Sequence, residues 1–141
     1  MIVFFDTSIL VRCYFTEAGT TDAIALWSQA HTRVGSALLA AEMLATFARK
    51  RRENPSDAPT VDAQQVAFLH HWQGMDRINI TPALLPTITR LHAAHSLRGA
   101  DSLHLAAAIA YQHHAGEPIT FACADAALIA AAKAEGLSVA P

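Results

Sequence analysis

The sequence predicts an α/β fold, a largely parallel sheet with helices on both faces, built as one domain over residues 1–141. Three observations carry that expectation. Short strand-like runs alternate with longer helical stretches along the whole chain, which requires βαβ crossovers. The first run, Ile2-Val3-Phe4-Phe5, is four bulky apolar residues in succession, the pattern of a strand buried on both faces rather than half exposed. Finally, 141 residues suffice to bury a core without disulfides or structural metal, and no repeat or low-complexity segment divides them.

Taken in order, the first strand ends on Asp6-Thr7-Ser8, and Ser8 to Phe15 reads as a short helix. Glu17-Ala18-Gly19 breaks before a second helix, Thr20 to Ala30. Arg33-Val34-Gly35-Ser36 is a weak second strand, and Ser36 is placed to cap a long helix from Ala37 to about Arg52, with Leu38, Met43, Leu44, Phe47 and Ala48 core-like. The stretch Glu53 to Pro59 has loop composition. Val61 to Trp72 is amphipathic and stops at Gly74. Arg77 to Thr81 alternates as a third strand, and Pro82 opens a helix that runs to about Ser96. After Arg98-Gly99 comes a helix from Ala100 to His114, closed by Gly116 and Pro118. Ile119 to Ala122 is the fourth strand, Asp125 caps Ala126 to Glu135, Gly136 ends that helix, and Leu137-Ser138-Val139 is the last strand.

Composition narrows the function. The chain is 52% hydrophobic and 16% charged, neither disordered nor membrane-like, and no apolar run reaches transmembrane length. No basic region or small-residue cleavage site marks a signal peptide, so a cytoplasmic location is expected. Cys13 and Cys123 are expected to be reduced and buried. A net charge of −2 argues against nucleic-acid binding by bulk charge. Positive charge is concentrated once, at Arg49-Lys50-Arg51-Arg52. Cations at a helix C-terminus complement its dipole, but four in a row suggest an RNA-backbone contact as well.

The carboxylates are the candidate site. Asp6 follows the first strand, Glu42 lies in the second turn after the second strand, and Asp125 follows the fourth, so the alternation brings three acids to the carboxyl edge of the sheet, where α/β folds bind ligands. Asp6 and Asp125 also suit helix caps, and Asp101 suits a first-turn acid. Glu42 has no such role: it is the one charge between Ala37 and Ala48, and no basic residue lies within a turn of it. A charge so placed needs solvent or a partner. Carboxylates converging without interleaved lysine or arginine repel one another unless a cation neutralises them. All-oxygen ligands suit Mg²⁺ or Mn²⁺, which activate water and offset phosphodiester charge. The eight histidines have no zinc spacing with the cysteines; His104, one turn after Asp101, is a candidate for the site but reads more simply as packed. Thr7 and Ser8 are hydroxyls able to orient water.

Four segments, MIVFFDTSIL, SALLAAEMLATFARK, LRGADSLHLAAAIAY and ITFACADAALIAAAKAEGLSV, resemble the signature blocks of PIN-domain nucleases, and most closely the VapC-type ribonuclease toxins of toxin–antitoxin pairs. The resemblance implies a three-layer α/β/α sandwich and Mg²⁺- or Mn²⁺-dependent RNA hydrolysis at Asp6, Glu42, Asp101 and Asp125. It also implies a homodimer and a cognate antitoxin that occludes the site. The resemblance, rather than periodicity, brings Asp101 to the rim. One departure stands out: Cys123 lies where the family often has threonine or serine, and a thiol is the poorer hydrogen-bond partner.

The expected scheme makes Asp6 and Asp101 the main metal ligands. Glu42 binds directly or through water, and Asp125 positions a second ion or the attacking water. Two alternatives remain. One is a degenerate fold-mate that binds without catalysis. The other is a phosphatase with a strand-end aspartate, which would want a second aspartate where this chain has Ser8.

Overall fold

In the computed structural model, which describes residues 1–140, five strands form one sheet. They are β1 (Ile2–Phe5), β2 (Thr32–Ser36), β3 (Asp76–Ile78), β4 (Thr120–Ala122) and β5 (Ser138–Ala140). The order is β3-β2-β1-β4-β5, and every neighbouring pair is parallel. Seven α-helices cover it: α1 (Thr7–Leu10), α2 (Thr20–Gln29), α3 (Ala37–Glu53), α4 (Ala58–Gln73), α5 (Leu85–Ala94), α6 (Gly99–Ala115) and α7 (Ala126–Ala134).

Strand β1 explains the layering. Side chains of a strand alternate between faces. Ile2 and Phe4 therefore join one core with residues of α5, α6 and α7, while Val3 and Phe5 join the other with residues of α1 through α4. Phe4 and Phe5 are fully buried, roughly 1.5–3 kcal/mol of burial each. On one face Phe4 stacks on Phe121 of β4 at 5.7 Å, and on the other Tyr14, Phe47 and Phe68 meet edge to face or tilted. Gly35 of β2 shows how tightly the helices press on the sheet, since a Cβ there would lie 2.5 Å from Leu39 Cδ2.

Several boundaries differ from expectation for local reasons. The first helix is one α-turn continued by a 3₁₀ turn, Val11–Cys13, and Pro82–Leu84 is likewise a 3₁₀ turn before α5. The third strand starts at Asp76 and stops at Ile78: it is the sheet edge, it pairs only with β2, and Ile80 beyond it is exposed. Helix α4 begins earlier than its apolar pattern, with Pro59 accommodated in its first turn.

The chain runs outward from β1 to β2 and β3, then returns to β4 on the other side of β1. This reversal opens a crevice beyond the carboxyl ends of β1 and β4, the place where parallel sheets bind ligands.

Candidate active site

Asp6 and Asp125 flank the crevice. The backbone continues the β1–β4 ladder one step past the strands, with Asp6 N–H donating to Ala122 O at 2.9 Å. Asp6 then caps α1, its Oδ2 accepting from Ser8 N at 3.0 Å and from the Ser8 hydroxyl. Ser8 Oγ in turn accepts from Ala124 N at 3.0 Å, so one hydroxyl ties the end of β1 to the end of β4. Asp125 caps α7 through Leu128 N at 2.9 Å. Both aspartates are thus caps and rim acids at once. A cap occupies one carboxylate oxygen, and for Asp6 the other, Oδ1, lies 3.7 Å from His104 Nε2.

Glu42 is held by side chains from two other elements. Its Oε1 accepts from Thr7 Oγ1 at 2.8 Å and from His104 Nε2. A carboxylate can only accept, so the Nε2 of His104 carries the proton. Nδ1 of the same ring shares a 3.0 Å hydrogen bond with Ser36 Oγ, and Nε2 also lies 3.7 Å from Asp6 Oδ1. Burial pushes the Glu42 carboxyl up, but the hydrogen bonds from His104 and Thr7 and the charges of His104 and Arg98 outweigh it, holding the group below its ordinary value.

Two sequence expectations change here. Ser36 occupies the cap position of α3 but makes no side-chain cap; its hydroxyl is committed to His104. His104 is a packed helix histidine, with 1% of its side chain exposed, and it also belongs to the site. Its α6, whose first turn carries Asp101, packs against β2 and α3, which carry Ser36 and Glu42. Glu42 therefore does have a basic partner, one that no inspection of its own helix reveals.

Asp101, 8% exposed, accepts from Arg98 Nε at 3.0 Å and Nη2 at 3.4 Å. The Arg98 guanidinium is held above its usual value first by that bond and then by the charge of Asp101, Asp125 and Asp6, and its own charge acts on Glu42. One cation thus pairs with Asp101 and acts through its charge on the other three acids, which corrects the expectation that no base interleaves them. The i, i+3 spacing of Arg98 and Asp101 was the signal available in the sequence.

Cys123 is buried, and its sulfur accepts from Asp125 N at 3.2 Å and lies 3.7 Å from Ser8 Oγ. It fills the place of a hydroxyl with a weaker acceptor. Burial first, then the charge of Asp6, pushes its thiol up to about 11.

The basic run is elsewhere. Arg49 to Arg52 sits seven to ten residues along α3 from Glu42, roughly 10–15 Å further along the helix axis. Arg51 bonds Asp62 and Gln65 of α4, Arg49 pairs with Glu53, and Lys50 lies over the Phe15 ring. Arg52 makes no ion pair among the described residues.

The donor set, four carboxylates with two hydroxyls beside them, has the chemistry of a hard-cation site. Among the described residues no three acids, histidines or cysteines stand in an arrangement that would chelate an ion as they are. Asp101 is taken by Arg98 and one oxygen of Glu42 by His104; Asp6 Oδ1 accepts no hydrogen bond.

A parallel five-stranded α/β/α domain with acids gathered at its strand-order reversal is the class these features define, and the PIN domain family profile matches residues 3–121. The chain belongs to the PIN-domain family. It is 32% identical, over 99% of its length and 95% of theirs, to ribonuclease VapC45 and ribonuclease VapC49 of Mycobacterium tuberculosis. Its fold is similar to that of VapBC2 from Rickettsia felis, solved bound to a promoter DNA fragment, with a TM-score of 0.68 at 15% identity, covering 99% of this chain and 98% of that one. Asp125 lies beyond the matched segment, at the cap of α7 just after β4.

Proposed function

We propose that this protein is a ribonuclease that hydrolyses phosphodiester bonds in RNA at the acidic crevice and acts as the toxin of a toxin–antitoxin pair. The observation that carries the reading is 32% identity, over nearly the whole chain, to two named ribonucleases; the held carboxylates of Asp6, Glu42, Asp101 and Asp125 support it. Asp6 and Asp101 would hold Mg²⁺ or Mn²⁺, with Glu42 and Asp125 completing the oxygen set. When bound, such an ion lowers the pKa of a water and offsets phosphodiester charge. The chain's own residues supply the rest. Ser8 fixes the Asp6 carboxylate, Thr7 and His104 fix Glu42, and the cap at Leu128 N fixes Asp125. These three acids are positioned before substrate arrives, so little reorganisation of them remains for the reaction.

An antitoxin partner and a homodimer fit the apolar surface that the monomer leaves open. Val66 and Leu69 of α4 and Ile24 of α2 are exposed, and Ile24 lines an apolar cleft of about 210 Å³ with Cys13, Tyr14, Trp27 and His71. Among the described residues no helix is long and apolar enough to cross a membrane. We place the protein in the cytoplasm, with its RNA substrate.

The test is cleavage of total RNA by purified protein with Mn²⁺ or with EDTA. Asp6→Asn and Asp101→Asn should abolish cleavage while the circular dichroism spectrum is kept. Cleavage undiminished in EDTA would overturn the metal-dependent reading. Expression alone should arrest growth, and co-expression of the antitoxin should restore it.

A further inference from the structure

Arg98 is not among the residues expected at the site, yet its position is the least explained there. Its backbone is fixed as the N-cap of α6, with Arg98 O accepting from Ser102 N at 3.1 Å, but its side chain makes no cap bond. The guanidinium instead bridges both Asp101 oxygens from the solvent side, 80% exposed against 11% for the Asp101 side chain. No other lysine or arginine pairs with any of the four acids among the described residues.

Charge decides what this residue can do. The guanidinium pairs with Asp101 and sits in the field of the other three acids, and an RNA strand brings further negative charge to the same mouth. A cation binding Asp101 competes with the guanidinium, because both Asp101 oxygens already accept from Arg98 and two positive charges drawn to one carboxylate repel each other. Exposed ion pairs exchange readily with solvent. The displaced side chain still pivots from a fixed Cα at the rim, and its planar fork matches the oxygens of a phosphodiester. The paired members of the Arg49 to Arg52 run lie at the far end of α3 and are tied to α4, Glu53 and Phe15, so Arg98 is the better-placed cation for phosphate at the crevice.

We propose that Arg98 is a two-position residue: counter-ion to Asp101 in the metal-free protein, and ligand of an RNA backbone phosphate once a divalent ion occupies the acids. This inference deepens the nuclease reading and rests on it.

Two measurements on the full chain test it, using wild type, Arg98→Ala and Arg98→Lys. Calorimetric titration with Mn²⁺ in the absence of RNA reports the competition. Fluorescence anisotropy of a short labelled phosphorothioate RNA of mixed sequence, in saturating Mn²⁺ across a range of salt, reports the phosphate contact. Arg98→Ala should bind Mn²⁺ several-fold more tightly than wild type and RNA about tenfold more weakly, with the salt slope smaller by about one. Arg98→Lys should keep the salt slope while losing part of the RNA affinity, since an ammonium retains charge but not the fork. Opposite signs for metal and RNA are what a merely structural arginine would not produce. Weaker or unchanged Mn²⁺ binding in Arg98→Ala would overturn the counter-ion role, and an unchanged salt slope would overturn the phosphate role. A wild type that binds neither Mn²⁺ nor RNA would instead overturn the nuclease reading itself.

Discussion

Glu42 has one oxygen, Oε1, that takes hydrogen bonds from two directions, Thr7 at the start of α1 and His104 on α6. That leaves Oε2 as the oxygen able to face the crevice, so the residue enters the site already oriented. His104→Ala removes the ring between Glu42 and Ser36 and leaves a buried hydroxyl without a partner, a loss of roughly 2–4 kcal/mol of stability with the cavity included. Ser36→Ala added to His104→Ala should recover part of it, because the orphaned hydroxyl is gone. Urea melts of the two single variants and the double variant check this, and strictly additive losses would mean that the Ser36–His104 bond contributes nothing. At this scale the sequence was legible where one strand or helix sufficed. Asp6 shows as an abrupt carboxylate after an apolar run, and Glu42 as a lone charge on an apolar helix. His104 shows only as one of two readings, because its contact with Glu42 spans 62 residues and its own helix gives it an adequate packed role.

At the scale of elements, helix ends do most of the joining. Glu135 follows α7 and accepts from Arg90 of α5 and from His95, which caps the C-terminus of α5, at 2.6 Å and 2.9 Å. Burial raises its carboxyl, but the bonds from His95 and Arg90 outweigh burial and hold it below the ordinary 4.5. A carboxyl lowered on folding adds stability above its unfolded pKa and loses it as pH falls through the folded value. Glu135→Gln should therefore lower the melting temperature at pH 7 and flatten the loss of stability below about pH 4.5, as followed by thermal melts across pH. An acid limb identical to wild type would show that the α5–α7 tie does not titrate. On α3, Arg51→Ala should cost at most about 1 kcal/mol through the lost Asp62 contact, since that pair is largely exposed. Arg52→Ala should leave stability alone. If the run does touch RNA, Arg52 is the member free to do so, and only its variant should reduce the salt slope of RNA binding. The i, i+4 pair Arg49–Glu53 could be read from spacing, whereas the Arg51 bonds to α4 depend on how two helices pack and could not.

For the whole molecule, alternation of strands and helices reveals the parallel sheet but not its order. The crevice exists because β4 returns to the far side of β1, and nothing local in Ile119 to Ala122 states that choice. Asp101 depends on it most, since no strand leads directly into α6. The metal-free site holds four acids against one arginine and one histidine, so an ion that binds only the folded chain should stabilise it. At 100 times its dissociation constant that gain is about 2.7 kcal/mol, or roughly 10 °C for a domain of this size. Asp101→Asn has two opposed effects without metal: it relieves repulsion among the acids and it breaks the exposed pair with Arg98. Its metal-free melting temperature should therefore stay close to that of wild type. The Mn²⁺-dependent rise, however, should shrink sharply, because an amide is a poor ligand for a hard cation. Ser56→Ala, in the exposed Pro55–Asp57 turn, should keep the full rise. Thermal melts of the three proteins in EDTA and in millimolar Mn²⁺ decide the matter. A wild type indifferent to Mn²⁺ would remove the reason for four carboxylates to share one rim.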